Sequence, residues 1–250
     1  MRFWLIAIYF LGLLWGPGDL VAMTVQPVVI DMSSAGRGTT AAINVSNPQS
    51  TPLPVEIVVH RLALHEDGSQ ERSAGGDEDF LIFPPQALIP PNSVQVFRIQ
   101  WLGEPELLES QSFLFSVNQL PIQVDPDVSA IQLLFNFLVI VNVAPPTGSP
   151  ELILSDGDVA TTADGASELR FVVENPTPVH GYLSRSRVDL EVFNQGGSLI
   201  WSRTLEPNEL RHIIGLGLVQ PNRRRQFNLP LDAAIDAGSV AGRINYVGVQ

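Results

Sequence analysis

The fold of this chain is decided by the stretch Ile131-Gln132-Leu133-Leu134-Phe135-Asn136-Phe137-Leu138-Val139-Ile140-Val141-Asn142-Val143. Every second residue from Ile131 to Val143 is apolar, and the run stops at Pro145-Pro146. A period of two with aromatic and β-branched side chains predicts a β-strand. At about 3.3 Å per residue the stretch would extend roughly 40 Å, about twice a typical strand. One small sandwich does not cover so many apolar side chains, so a second domain or a partner chain must cover the remainder.

The composition narrows the classes of partner and chemistry. The chain has 14 basic residues, all of them Arg, against 26 acidic residues, which gives a net charge of −12. This balance argues against nucleic acid or anionic lipid as the main partner. Cysteine is absent, which excludes a disulfide framework and a thiolate metal site. Since the sequence also lacks the common hydrolase, nucleotide-binding and zinc motifs, we predict no catalytic residues, no metal site and no cofactor.

The N-terminus has the layout of a secretory signal peptide. Arg2 precedes the apolar run Phe3 to Trp15, Gly16-Pro17-Gly18 follows, and the small residue Ala22 stands at the exit. We predict a signal peptide over residues 1–22. The alternative is an uncleaved membrane anchor, but the apolar run is short against the roughly 20 residues that a span needs. The mature protein is therefore expected to be exported, without membrane insertion after cleavage.

Short apolar segments alternate with turn signals along the rest of the chain. Between residues 25 and 143 the pattern gives about seven or eight strands with turns every 8–12 residues, which is typical of an immunoglobulin-like sandwich. After a proline-rich linker over residues 145–150 the pattern starts again. Asn47-Pro48 recurs as Asn175-Pro176, 128 residues later, and Pro91-Asn92 recurs as Pro221-Asn222, 130 residues later. We therefore predict an all-β protein of two homologous sandwiches, over 23–146 and 147–250.

A set of spaced motifs resembles the periplasmic pilus-assembly chaperone family. That family's signature reads Pro-Pro, a leucine, Pro-Gly-x-x-Gln-x-x-Arg-Ile, Glu-Ser, an aromatic strand and Ile-Pro. The matching residues here are Phe83-Pro84-Pro85, Leu88, Pro90-Pro91-Asn92-Ser93, Gln95 to Ile99, Glu109-Ser110, Phe113 and Leu120-Pro121. The resemblance implies two immunoglobulin-like domains set in an L, a periplasmic location, and pilus subunits and an outer-membrane usher as partners.

The resemblance also implies a mechanism, donor-strand complementation, in which the chaperone lends one strand to an incomplete subunit. It assigns the donated side chains to Ile131, Leu133, Phe135 and Phe137, the face that the period of two selects independently.

The sequence departs from the family where a subunit's terminal carboxylate would be anchored. The family has an Arg on the first strand and a Lys at the far end of the donor strand. Here these segments read Pro27-Val28-Val29-Ile30 and Val139-Ile140-Val141. Arg61 or Arg98 could replace the anchor, although Arg98 is better explained as the structural partner of an acid such as Glu109. The ion pairs between domains that many members have are also expected to be depleted.

Two alternatives stay open at this stage. The long strand could be an ordinary core strand in a secreted structural or adhesive module that exchanges no strand with a client. If it is a donor strand, two free copies of the chain could also pair to cover it, in a self-capping dimer, since a long apolar edge strand is an aggregation liability.

Overall fold

A computed structural model of the chain describes residues 22–122, 133–163, 165–231, 235 and 238–246. Most of the regular structure in these ranges is β-strand. The described residues of the first half form ten strands: β1 (Thr24–Gln26), β2 (Val29–Ser33), β3 (Thr40–Asn47), β4 (Leu53–Leu64), β5 (Gln70–Ser73), β6 (Phe80–Phe83), β7 (Gln86–Ile89), β8 (Ser93–Trp101), β9 (Gln111–Gln119) and β10 (Asn136–Ala144). The second half contains β11 (Ile153–Thr161), β12 (Ser167–Asn175), β13 (Gly181–Tyr182), β14 (Ser186–Phe193), β15 (Leu199–Leu205), α1 (Pro207–Ile214), β16 (Leu218–Val219), β17 (Arg223–Pro230) and β18 (Ser239–Tyr246).

The first half is a sandwich of two sheets. One sheet has the order β1-β3-β8-β6, and the other has the order β2-β10-β9-β4-β5 with β7 added to β4. Alternate residues of each strand point into the space between the sheets, as the period of two requires. The centre of this core is aromatic, with Phe80 in edge-to-face contact with Trp101, Phe113 and Phe115.

The second half has a core of its own. Its main sheet has the order β15-β14-β18-β11-β12-β17, and β13 pairs with β16 in a second, two-stranded sheet. The buried residues of this core include Leu169, Phe171 and Leu190, together with Leu210 from helix α1. Each sheet of the molecule takes its strands from one side of residues 145–152. The exact domain boundaries, predicted as 23–146 and 147–250, stay a prediction.

The landmarks of the sequence repeat occupy equivalent places in the two halves. Asn47 and Asn175 are fully buried, and the side-chain amide of each donates to backbone carbonyls just before the strand that pairs with its own, β8 or β17. Asn92 and Asn222 immediately precede those strands, with φ of 52° and 53°, in the left-handed region that asparagine tolerates. The repeated asparagines therefore have a structural function.

The side chain of Gln220, from the second half, bonds to the backbone of β4 in the first half as a neighbouring strand would. The side-chain amide of Gln220 accepts a hydrogen bond from Leu64 N–H and donates one to the Leu62 carbonyl, both at 2.8 Å. Next to it, Gln226 N–H donates to the Glu66 carbonyl at 2.6 Å. Because β9 pairs with β4 only as far as Arg61, Gln220 satisfies backbone groups of β4 that the first half leaves unpaired.

The described ranges contain no helix with the length and apolar character needed to cross a membrane. Residues 1–21, which hold most of the predicted signal peptide, lie outside the described residues.

Candidate functional site

Strand β10 has one fully paired edge and one half-paired edge. Along the first edge β9 pairs with it in antiparallel register, from Asn136 opposite Asn118 to Val143 opposite Gln111. Along the second edge β2 pairs in parallel only from Ile140 onward. Residues 136–139 therefore have no strand partner on this edge among the residues that the structure describes. We call residues 133–139 with this unpaired side the open edge.

The open edge exists because the first strand of the chain changes sheets. β1 pairs with β3 in the opposite sheet, and β2 then joins β10 after Pro27, which has no N–H to donate to a ladder. Had the chain stayed beside β10 from its start, it would have covered residues 136–139.

The face predicted from the period of two changes from core to surface along the strand. Val139, Val141 and Val143 are completely buried between the sheets. Phe135 and Phe137 are half-buried and pack against the same core, whereas Leu133 is 62% exposed. Ile131 lies outside the described residues. Thus three of the four predicted donor residues lie along the open edge, one of them largely in solvent.

The two candidate arginines lie elsewhere. Arg61 on β4 pairs with Asp79 at 2.5 Å and its guanidinium lies over the ring of Phe113, a structural position. Arg98 is exposed on the outward face of β8, and none of the ion pairs among the described residues joins it to Glu109. Glu109 instead accepts a hydrogen bond from Asn222 of the second half.

The segments where the family would place its basic anchor do meet in space. Ile140 N–H donates to the Val28 carbonyl at 3.0 Å, and the Val28 residue is 55% exposed. The end of the open edge is therefore formed by apolar residues.

Just beyond this point a line of polar side chains crosses three neighbouring strands, which sequence reasoning missed. Ser112 on β9, Asn142 on β10 and Asp31 on β2 lie directly opposite one another; we call them the polar row. Ser112 Oγ donates to Asn142 Oδ1 at 2.6 Å, and Asn142 Nδ2 donates to the Tyr182 hydroxyl at 2.7 Å. Tyr182, from the second half, donates to Asp31 Oδ1 at 2.5 Å. The row is thus closed by a residue of the other half.

Asp31 is the acceptor at the end of the row. His180 Nε2 and Arg185 Nη2 also contact its carboxylate, at 3.1 and 2.8 Å. Burial acts to raise the pKa of the Asp31 carboxyl, but the hydrogen bonds from His180, Tyr182 and Arg185 outweigh it and hold that pKa well below 3.8. Burial and the Asp31 charge raise the pKa of Tyr182, so the phenol keeps its proton. The expectation of depleted ion pairs between the halves is therefore wrong, because Asp31 supplies them from an unexpected strand.

Ser110, His180 and Asp31 form a chain of hydrogen bonds that superficially suggests a hydrolase. In a catalytic triad the acid binds His Nδ1 and the serine binds Nε2. Here Asp31 contacts Nε2 and Ser110 Oγ contacts Nδ1, and Ser110 Oγ also accepts the His180 backbone N–H at 3.1 Å. Both Ser110 and His180 are buried, so the geometry is that of a structural cluster. Across the described part of the chain, no group of three or more His, Asp or Glu residues is placed to hold a metal ion.

Solved structures identify the architecture. The class 5 fimbriae chaperone CfaA is similar over 90% of this chain and 99% of that chain, with a TM-score of 0.53 at 8% identity. A chain from a chaperone–tip adhesin complex of CFA/I fimbriae biogenesis matches over the same shares, with a TM-score of 0.52 at 9% identity. This chain has the fold of a fimbrial chaperone. No protein-family model and no curated protein sequence matches it.

The chaperone fold confirms the main expectation from the sequence. The chain belongs to the all-β class with two immunoglobulin-like sandwich domains, and the motifs that resembled the pilus chaperones mark that fold correctly.

Proposed function

We propose that this protein is a periplasmic chaperone that binds fimbrial subunits by lending them the open edge of β10, and that it passes them to an outer-membrane usher. The observation that carries the proposal is the half-paired strand: within the described part of the chain, residues 136–139 lack a strand partner on one side, and apolar side chains continue toward the surface at Leu133. The fimbrial chaperone fold and the predicted signal peptide support it.

The physical basis of capture is strand addition. An unpaired strand edge offers N–H and carbonyl groups that fix the register of an incoming strand, and side chains beside it fill pockets in the partner. Each fully buried apolar side chain contributes roughly 1.5–3 kcal/mol before the costs of ordering and association. Leu133 has the most surface left to bury, and Phe135 and Phe137 add to it. Since the end of the edge is apolar, we propose that hydrophobic contacts supply most of the affinity.

Co-expression tests the proposal directly. The chain, with an affinity tag, is produced together with fimbrial subunits encoded in the same genome, and the subunit recovered with it is quantified. Leu133→Asp should reduce that yield at least about tenfold, because it places a charge where an apolar side chain must be buried. Leu108→Asp is the matched control, since Leu108 is 90% exposed in the loop after β8. It should leave the yield unchanged.

The double variant Leu133→Asp/Phe135→Asp extends the test to a residue that packs against the core, and circular dichroism must show that it remains folded. Full recovery of subunit with either variant would show that the donor assignment is wrong. Absence of subunit even with the unmodified chain would favour a structural or adhesive module.

We also propose that two free copies pair through the open edge when no subunit is present. An exposed apolar strand edge is an aggregation liability that a second copy can cover. Sedimentation velocity should then show dimers of the unmodified protein and monomers of Leu133→Asp. Monomers in both would contradict this pairing.

A further inference from the structure

We propose that the polar row of Ser112, Asn142 and Asp31, closed by Tyr182, is a positioning device for strand donation. It holds β2 in one register on β10 and so sets the point at which an added strand must end. This inference rests on the proposed function, because it concerns the same open edge. It adds residues that lie outside the donated face and that decide how far along β10 a subunit strand can pair.

β2 acts as the stop for any added strand. Ile140 N–H already donates to the Val28 carbonyl, so this backbone group is not available to a partner. In a strand every second N–H points to the same edge, so the next free one toward the N-terminus belongs to Leu138. An added strand can therefore pair beside Leu138 but must end before Ile140. Moving β2 along β10 would move this limit.

The apolar pattern of β2 does not by itself fix its register. β2 covers only Val29–Ser33 and pairs in parallel, which is slightly less stable per residue than antiparallel pairing. A slip of one residue would turn Ile30 and Met32 out of the core, but a slip of two residues would keep an apolar residue in the core. The burial of apolar side chains therefore disfavours a slip of one residue far more strongly than a slip of two.

The polar row excludes the slip of two residues. In the observed register Asp31 lies opposite Asn142, and Tyr182 binds both of them. A slip of two would place Val29 or Ser33 opposite Asn142 and take the carboxylate away from the Tyr182 hydroxyl. Since Tyr182 and Asn142 are fully buried, the lost hydrogen bonds would not be replaced by water.

A simpler explanation is that the cluster only joins the two halves. The two explanations differ in what they expect of Tyr182 and Arg185. Tyr182 binds β10 and β2 together, whereas Arg185 reaches Asp31 on β2 and lies over the Tyr182 ring. Removing either contact weakens the joint between the halves, but removing the Tyr182 hydroxyl also breaks the row. Tyr182→Phe and Arg185→Gln are thus a matched pair.

The first test uses the free protein. Hydrogen exchange of the Ile140 amide, followed by NMR, reports the pairing of β2 with β10. We expect exchange about tenfold faster in Tyr182→Phe and within about twofold of the unmodified protein in Arg185→Gln. The Phe115 amide, in the middle of β9, is the control for global opening and should not change. Equal acceleration in both variants, or none in Tyr182→Phe, would overturn the positioning role.

The second test reads the register of a bound subunit. The chain has no cysteine, so a single Leu138→Cys can be oxidised against cysteines placed one at a time along the last strand of the co-expressed fimbrial subunit. We expect one subunit position to dominate, and Tyr182→Phe to add cross-links two residues away. An unchanged single position in Tyr182→Phe would refute the positioning role but leave the proposed function intact. No cross-link at any position in the Leu138→Cys background would refute the proposed function itself.

Discussion

The two ends of β10 have the same alternating sequence and different surroundings. From Ile140 to Val143 the strand is paired on both edges, and its inward residues are completely buried. From Asn136 to Val139 it is paired on one edge, and toward Leu133 its side chains emerge into solvent. The difference arises in β2, which covers one end and not the other. One uninterrupted apolar face can therefore build a core at one end and leave a half-paired, partly exposed edge at the other.

The largest loss of folding stability should come from a charge at the end of β10 that β2 covers, which we call the covered end. Val141→Asp would bury a carboxylate without a partner between the sheets, where such a change costs several kcal/mol. We expect little or no folded protein, measured as soluble yield and as the urea midpoint of whatever is recovered. A folded, stable Val141→Asp protein would contradict the description of this end as core.

Removing a polar side chain should also destabilise the covered end more than the open edge, but by less than Val141→Asp does. Asn142→Ala removes the middle of the polar row, so the Ser112 hydroxyl loses its acceptor and the Tyr182 hydroxyl loses one of its two partners. We expect a loss of roughly 2–3 kcal/mol in the free energy of unfolding, from urea titration. Asn136→Ala, at the exposed beginning of the same strand, is the control and should cost less than about 0.5 kcal/mol. Equal losses would mean that the row does not stabilise the covered end.

Low pH should lower the stability of the protein, because protonation of Asp31 removes its contacts at the covered end. The pKa of this carboxyl is lowered in the folded state, so its contribution to stability is complete above the unfolded pKa of about 3.8 and is lost as pH falls toward the lower folded pKa. We expect the urea midpoint to decrease below about pH 4 and the decrease to be shallower in Asp31→Asn. Parallel curves for the two proteins would show that Asp31 does not cause the loss.

The smallest effect on stability is expected at the open edge. Leu133→Asp should change the free energy of unfolding by less than about 0.5 kcal/mol, because this side chain has little burial to lose. The same variant should lose subunit binding in the co-expression assay. Strong destabilisation by Leu133→Asp would show that residue 133 belongs to the core and would remove the contrast between the ends.

The sequence is sufficient to predict what depends on local pattern. The period of two identifies the inward face of β10 from Phe137 to Val143, because the face of a strand that a residue occupies depends on its spacing alone. The repeated asparagines similarly mark matching turns in the two halves, because each amide also donates to the carbonyl four residues later in its own turn, Asn47 to Thr51 and Asn175 to Val179.

What depends on distant contacts is not visible in the pattern. The point where β2 stops covering β10 follows from a change of sheets at Pro27, which is a tertiary event. Asp31 and Tyr182 are 151 residues apart, and a single acid in an apolar strand does not indicate its partner. The suggested Arg98–Glu109 pair was wrong for the same reason: Glu109 binds Asn222 of the second half.

Gln220 has a practical consequence for work with shortened forms of this chain. A fragment that ended before the second half would lose this amide and expose the peptide groups of Leu62 and Leu64. The shortened protein would then have an unpaired edge at β4 in addition to the open edge of β10. Truncation for crystallisation or display is therefore expected to produce inclusion bodies, and the intact pair of sandwiches is the smallest unit suited to such experiments.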